Sequence, residues 1–245
     1  MTADLQDLLF TSYGVVHVGI LTLTILGAIA FARLGRRHRG TPRAQDFSRA
    51  FGVVVLVVTL GFMFLWLLPA YFTVEQSIPL HFSDALRFLS AWALISHRRL
   101  PLAVTYFWGL TFNIQSLLTP DLTPTVLPWA EFASYWVQHV LVMWAVVYLA
   151  WGLRLAPGWR GYRDALVFTA GFAAVVSAVN LALGTNYGYL SGPPGSASAL
   201  DLLGGYPTYL MVVGALLVVA WALMTWPWQR GSRATRDEDR EAVVT

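Results

Sequence analysis

In the segment IPLHFSDALRFLS (78–90), four side chains able to do chemistry follow one another: His81, Ser83, Asp84 and Arg87. A serine hydroxyl becomes a nucleophile only when a base takes its proton and donors meet the developing oxyanion. On a helix turning about 100° per residue, with His81 as the reference, Ser83 falls at about 200°, Arg87 at about 240° and Asp84 at about 300°. His81 is then nearly opposite Ser83 and a poor base for it, whereas Arg87 shares the serine's face. Asp84 and Arg87, three residues apart, read as a neutralising pair. The base has to come from elsewhere, and His139 in SYWVQH (134–139) or His17 in TSYGVVH (11–17) can supply it. Asn113, Gln115, Gln138 and Asn180 are the neutral companions. Histidines on separate segments lack the i,i+4 spacing of a zinc site, so no metal is assigned. With no Cys in the chain, thiol catalysis, disulfides and thiolate metal sites are excluded. No Gly-rich phosphate loop is present, and neither a soluble cofactor nor a nucleic acid is expected.

These residues sit in an apolar frame. Of the 245 residues 57% are hydrophobic and only 12% charged, about half the charge of an ordinary soluble domain. That is too little to cover a soluble surface of this size, and disordered, collagen-like and disulfide-stapled classes fall with it. Seven apolar stretches, near 11–33, 49–71, 78–96, 101–118, 132–153, 162–183 and 204–226, are read as spans. The first follows Asp4 and Asp7 rather than a basic segment, and it exceeds a signal-peptide core, so it reads as retained. The expected fold is all-α: a polytopic seven-transmembrane-helix bundle over 11–226, with a short outer N-terminus (1–10) and a disordered tail (227–245).

Every basic residue is Arg, and 15 of the 16 fall in alternate connections or in the tail. The first loop holds Arg33, Arg36, Arg37, Arg39, Arg43 and Arg49; the third Arg98 and Arg99; the fifth Arg154, Arg160 and Arg163. The opposite loops carry acids such as Glu75, Asp121 and Asp201. The positive-inside rule then places the N-terminus outside and the C-terminus in the cytoplasm of a plasma-membrane protein. On this topology the polar side chains share one layer about 5–15 Å below the outer surface. An ion path would scatter them through the midplane. A one-sided layer points instead to binding or chemistry at the outer leaflet, or to interhelical hydrogen bonding.

IPLHFSD (78–84), YFWGLTFNIQSLLTPDL (106–122), SYWVQH (134–139) and NLALGTNYGYL (180–190), opened by TSYGVVH (11–17), resemble the transmembrane-protein-164/YwaF-type integral membrane family in order and spacing over about 11–226. The resemblance implies a seven-helix bundle. Its animal members look like phospholipid acyltransferases that move an acyl chain through an enzyme-bound intermediate. The fold is also similar to the androgen-induced-gene type of membrane lipid hydrolase, which pairs a hydroxyl nucleophile with a histidine. Carried over by motif, the family's nucleophilic cysteine falls on Ser83 and its fifth-helix histidine on His139. Serine in place of cysteine demands a competent base: either an oxyester intermediate forms, as with threonine in the related hydrolases, or only the fold is kept.

The function expected is therefore a lipid acyltransferase or lipid ester hydrolase with Ser83 as nucleophile and His139 as base. His17, His81, Asp84, Arg87, Asn113, Gln115, Asn180 and Asn186 are the expected substrate-binding residues, and membrane lipids the partners. The rivals are a non-catalytic transporter or lipid- or solute-binding protein, and a structural partner of an envelope complex. Pro120 and Asp121 read as the stop of the fourth span, Asn186 and Tyr187 as an interfacial end, and SGPPGSAS (191–198) as an outer loop on the pocket rim.

Overall fold

The computed structural model describes residue 9 and residues 11–122, 127–195 and 202–244, with side chains through Gln229. The N-terminal segment (1–10) apart from Leu9, Asp201, the end of the SGPPGSAS loop and the tail's side chains lie outside the described residues. The elements are α1 (Val15–His38), α2 (Pro42–Leu67), the single turn α3 (Val74–Ser77), α4 (Phe82–Ser96), α5 (Arg99–Leu110) and α6 (Phe112–Leu118). They continue with α7 (Pro128–Val147) and its π-helical extension Tyr148–Gly152, α8 (Trp159–Leu183), a 3-10 turn at Tyr187–Tyr189, and α9 (Thr208–Val244). The chain is an all-α, multi-pass membrane protein. Among the described residues, five helices are long and apolar enough to cross a membrane: α1, α2, α7 with its extension, α8, and Thr208–Gln229 of α9.

Burial explains the two remaining apolar stretches. α4 has 15 residues, and the 12 of α5 continue past Thr111 into the 7 of α6. α4 and α5 form the centre. In α5, Pro101 and every residue from Ala103 to Gly109 are buried, as expected of a helix that is apolar all round. Leu86 and Leu89 of α4 pack with Phe107 and Trp108 of α5, Val142 and Val146 of α7 and Trp221 of α9. Around this centre, Leu26 (60% exposed), Val57 (62%), Val167 (68%) and Val219 (58%) turn outward. So large an apolar exterior is a lipid-facing surface.

Two local differences from the expected spans bear on the site. Segment 78–96 is not one helix. Ile78 precedes Pro79 and is extended (φ −81°, ψ 123°), because the proline ring disfavours the helical region for its predecessor. His81 is the N-cap, also extended (φ −69°, ψ 151°), and its N–H donates to Asp84 Oδ2 at 2.9 Å. The helical wheel therefore starts at Phe82, and the opposition of His81 to Ser83 disappears. Segment 101–118 breaks at Thr111 (φ −117°, ψ −75°) into α5 and α6.

Contacts at the two ends show which ends of the helical rods lie together. At one end the N-terminal part of α1 meets the C-terminus of α6 through His17 and Leu117. At the other, Arg39 after α1 donates to the Gly152 and Trp151 carbonyls closing α7, at 2.6–3.1 Å. A π turn leaves carbonyls unsatisfied, and the guanidinium fork meets them. Arg99 at the start of α5 bridges Asp164 of α8 at 2.7 Å.

The α1–α7 crossing depends on Gly35. A Cβ there would lie 2.6 Å from Gly152 Cα and 2.9 Å from Gly152 C, and backbone cannot swing aside as a side chain can. Gly35→Leu is expected to cost about 3 kcal/mol, read as a lower unfolding midpoint in detergent. An unchanged midpoint would show that α1 is not held by this crossing.

Candidate functional site

One cavity of about 1250 Å³ opens at the end of the bundle that holds Ser83. It exceeds the roughly 300–1,000 Å³ of usual small-molecule pockets. His81, Ser83, Asp84 and Arg87 from α4 and its cap, Asn113 and Gln115 from α6, and His139 from α7 all line it. Its deeper walls are apolar faces of α8 and α9.

The α4 residues are fixed by the capping geometry and by one ion pair. Arg87 Nη2 donates to Asp84 Oδ1 at 2.7 Å and Nη1 donates to Gln138 Oε1 at 2.7 Å. Gln138 in turn donates to Ser134 O at 2.9 Å, so the guanidinium ties α4 to α7. Arg87 Nε is buried and, among the described residues, has no hydrogen-bond partner.

His139 is oriented from its own helix. Its Nδ1 lies 2.7 Å from Tyr135 O, and a carbonyl only accepts, so Nδ1 carries the proton and Nε2 the lone pair. The Tyr135 ring packs against the imidazole, tilted by 32° with centroids 4.2 Å apart, and Tyr135 Oη donates to Ser116 O at 2.7 Å. Asn113 Nδ2 donates to His139 O at 3.0 Å, docking α6 on the same turn. Among the described residues no hydrogen bond joins Ser83 to His139. The two share the cavity.

Three expected substrate-binding residues lie off the cavity lining. His17 accepts Tyr13 N–H at Nδ1 (2.9 Å) and donates from Nε2 to Leu117 O (2.8 Å); both ring nitrogens are committed to backbone and it pins α1 to α6. Asn180 donates to Tyr187 O and accepts from Tyr187 N and Thr185 Oγ1, closing the end of α8. Asn186 spans its loop from Ser191 N to Gly192 O. Gln115 lines the cavity and donates to Thr119.

The rim is built by YGY (187–189). Tyr187 donates to Val74 O and Tyr209 to Tyr189 O. His81 Nδ1 accepts Gly188 N–H at 3.3 Å, and Tyr189 donates to Asp121 at 2.6 Å. Burial and the adjacent Asp121 carboxylate push the Tyr189 hydroxyl well above its usual range, so it stays a donor.

Two features escaped sequence reasoning. Glu131, Ser134 and Tyr135 line the cavity beside Gln138 and His139. Stepping back four residues from Gln138 and His139 reaches Ser134 and Tyr135, and four more from Tyr135 reaches Glu131, since that spacing marks one helix face. The other is a buried Ser–His hydrogen bond. Ser48 Oγ lies 2.8 Å from His97 Nε2 and donates its own proton to Leu94 O at 2.7 Å. Burial, reinforced by Arg49, holds His97 below its ordinary value, so a neutral imidazole donates Nε2–H to the hydroxyl. With its proton directed at a carbonyl, Ser48 has no base. This pair bolts α2 to the end of α4.

Compared with known proteins, the chain matches the TMEM164 family over residues 11–225. It is also similar to an uncharacterized protein of Treponema pallidum (strain Nichols), 27% identical over 195 residues, covering 78% of this chain and 80% of that one. No solved structure matches it.

Proposed function

Because the chain belongs to the TMEM164 family, we propose that it is a membrane-embedded lipid acyltransferase or lipid ester hydrolase that works through Ser83 and His139. The observation carrying this reading is a cavity that holds Ser83, His139 and Arg87 at its polar end and continues between apolar helix faces. The seven apolar stretches are taken as seven spans, with the Arg-rich ends cytoplasmic, so that the polar end opens to the outer leaflet of the plasma membrane.

In this reading Ser83 Oγ attacks the ester carbonyl of a membrane lipid while His139 Nε2 takes the hydroxyl proton. Arg87, one turn away, supplies positive charge to the oxyanion. Collapse breaks the ester C–O bond, and His139 returns the proton to the departing lipid alcohol. A lysolipid hydroxyl or water then attacks the acyl-serine by the same path in reverse. His81 and Gln115 line the entrance. Glu75, Asp121 and Glu131 around the head suit a headgroup bearing a cation.

A second reading, a non-catalytic lipid- or solute-binding protein, is favoured by one observation: the Ser–His hydrogen bond in the fold is Ser48–His97 and not Ser83–His139. A fluorophosphonate probe on native membranes separates the two. Covalent attachment on the peptide holding Ser83, absent in Ser83→Ala, is the expected result. Labelling equal in wild type and Ser83→Ala removes the catalytic reading.

A further inference from the structure

We propose that the seam between α8 and α9 is an acyl-chain slot with a closed floor, and that this floor sets the length of chain the protein holds. The identity of the occupant rests on the lipid reading of the Ser83 cavity. Beyond its polar end the cavity runs along α8 past Ser177, Ala173 and Ala170 to Leu166, and along α9 past Leu210 and Gly214 to Leu217 and Val218. These positions recur in steps of three and four, so each set is one helix face. Small residues at such spacing ordinarily let membrane helices close on each other. Here the faces stay apart: a Cβ built on Gly214 meets nothing within 4 Å. Interiors close-pack where they can, so an apolar gap of this kind is space kept for hydrocarbon.

The slot ends abruptly. One turn below Leu166, Tyr162 Oη donates to Val218 O at 3.0 Å and joins the two helices. Behind that contact Trp221, fully buried, stacks on Phe107 with centroids 4.9 Å apart. From Ser177 to Leu166 the wall is about 16 Å long. With C–C bonds of about 1.5 Å, an extended chain advances about 1.3 Å per methylene, so the wall spans about a dozen methylenes. Entering from a bilayer, a chain gains no hydrophobic free energy, because lipid tails are already apolar. Selection is by fit: a short chain leaves a void whose lining loses contacts, and a long one meets the Tyr162–Trp221 floor. Binding then peaks at one chain length instead of rising steadily.

The test is competition between saturated lysophosphatidylcholines of increasing chain length and a fluorescent long-chain lysophospholipid, on the purified full chain in detergent. Wild type is expected to peak at about 14–16 carbons. Gly214→Leu puts a better helix former into open space and fills the slot one turn above Val218. It should move the peak about four carbons shorter and weaken the wild-type optimum about tenfold. Leu166→Ala should move the peak longer. A flat profile, or the same peak in wild type and Gly214→Leu, overturns the slot. Because binding needs no turnover, a shifting peak with an unlabelled Ser83 would remove the chemistry and keep the slot. A labelled Ser83 with an unmoved peak would do the reverse.

Discussion

Replacing His139 with alanine is expected to slow covalent modification of Ser83 by a fluorophosphonate about a hundred- to ten-thousand-fold, the range for loss of a positioned general base, while the fold persists. The first half follows from the tautomer. With Nδ1–H held on the Tyr135 carbonyl and the ring packed against that of Tyr135, Nε2 is the only basic atom the imidazole offers. Ser48–His97 shows the opposite arrangement, in which the histidine donates and the serine has already given its proton to Leu94. The second half follows from what alanine keeps. Asn113 bonds the backbone carbonyl of residue 139, which the substitution leaves in place, and the Tyr135 carbonyl stays within α7. Labelling rates with a melting curve beside them decide the matter. Equal rates in wild type and His139→Ala, both folded, would mean that His139 is not the base.

Much of this site was legible because its logic is short-range. Asp84 and Arg87 stand at a helical step of three, and the pair forms at 2.7 Å. A layer of polar residues on several spans predicts a shared pocket, and Ser83, Asn113 and His139 line one. What was not legible is set by backbone. Pro79 ends the helical wheel before His81, so an angular argument extended through that position failed. The partners of His17 and Asn180 are largely main-chain groups, which any sequence supplies and no pattern marks. Ser48 and His97 meet across 49 residues, with no local spacing to betray them. Hydropathy marked α5 as it marked the long helices, because a helix buried nearly throughout, as α5 is from Ala103 to Gly109, and one turned to lipid are equally apolar.

Arg87→Leu is expected to be the most damaging single change in the cavity wall. It removes both anchors of the guanidinium and leaves the Asp84 carboxylate, 15% exposed, with the His81 N–H as its recorded partner. Breaking a buried pair from one side costs about 3–5 kcal/mol; partial access to the cavity places this one near 3. The remedy is to remove the stranded charge and keep the cap. Asn at position 84 retains a side-chain oxygen for the His81 N–H, so Asp84→Asn added to Arg87→Leu should recover more than half of the lost stability. In a double-mutant cycle of unfolding midpoints the two changes should then couple by at least about 1.5 kcal/mol. Additive losses would mean the pair is solvated and structurally idle. Recovered stability without recovered labelling of Ser83 would separate the structural role of Arg87, whose outer nitrogens hold α4 to α7, from the role proposed for its charge at the oxyanion, which no substitution at Asp84 restores.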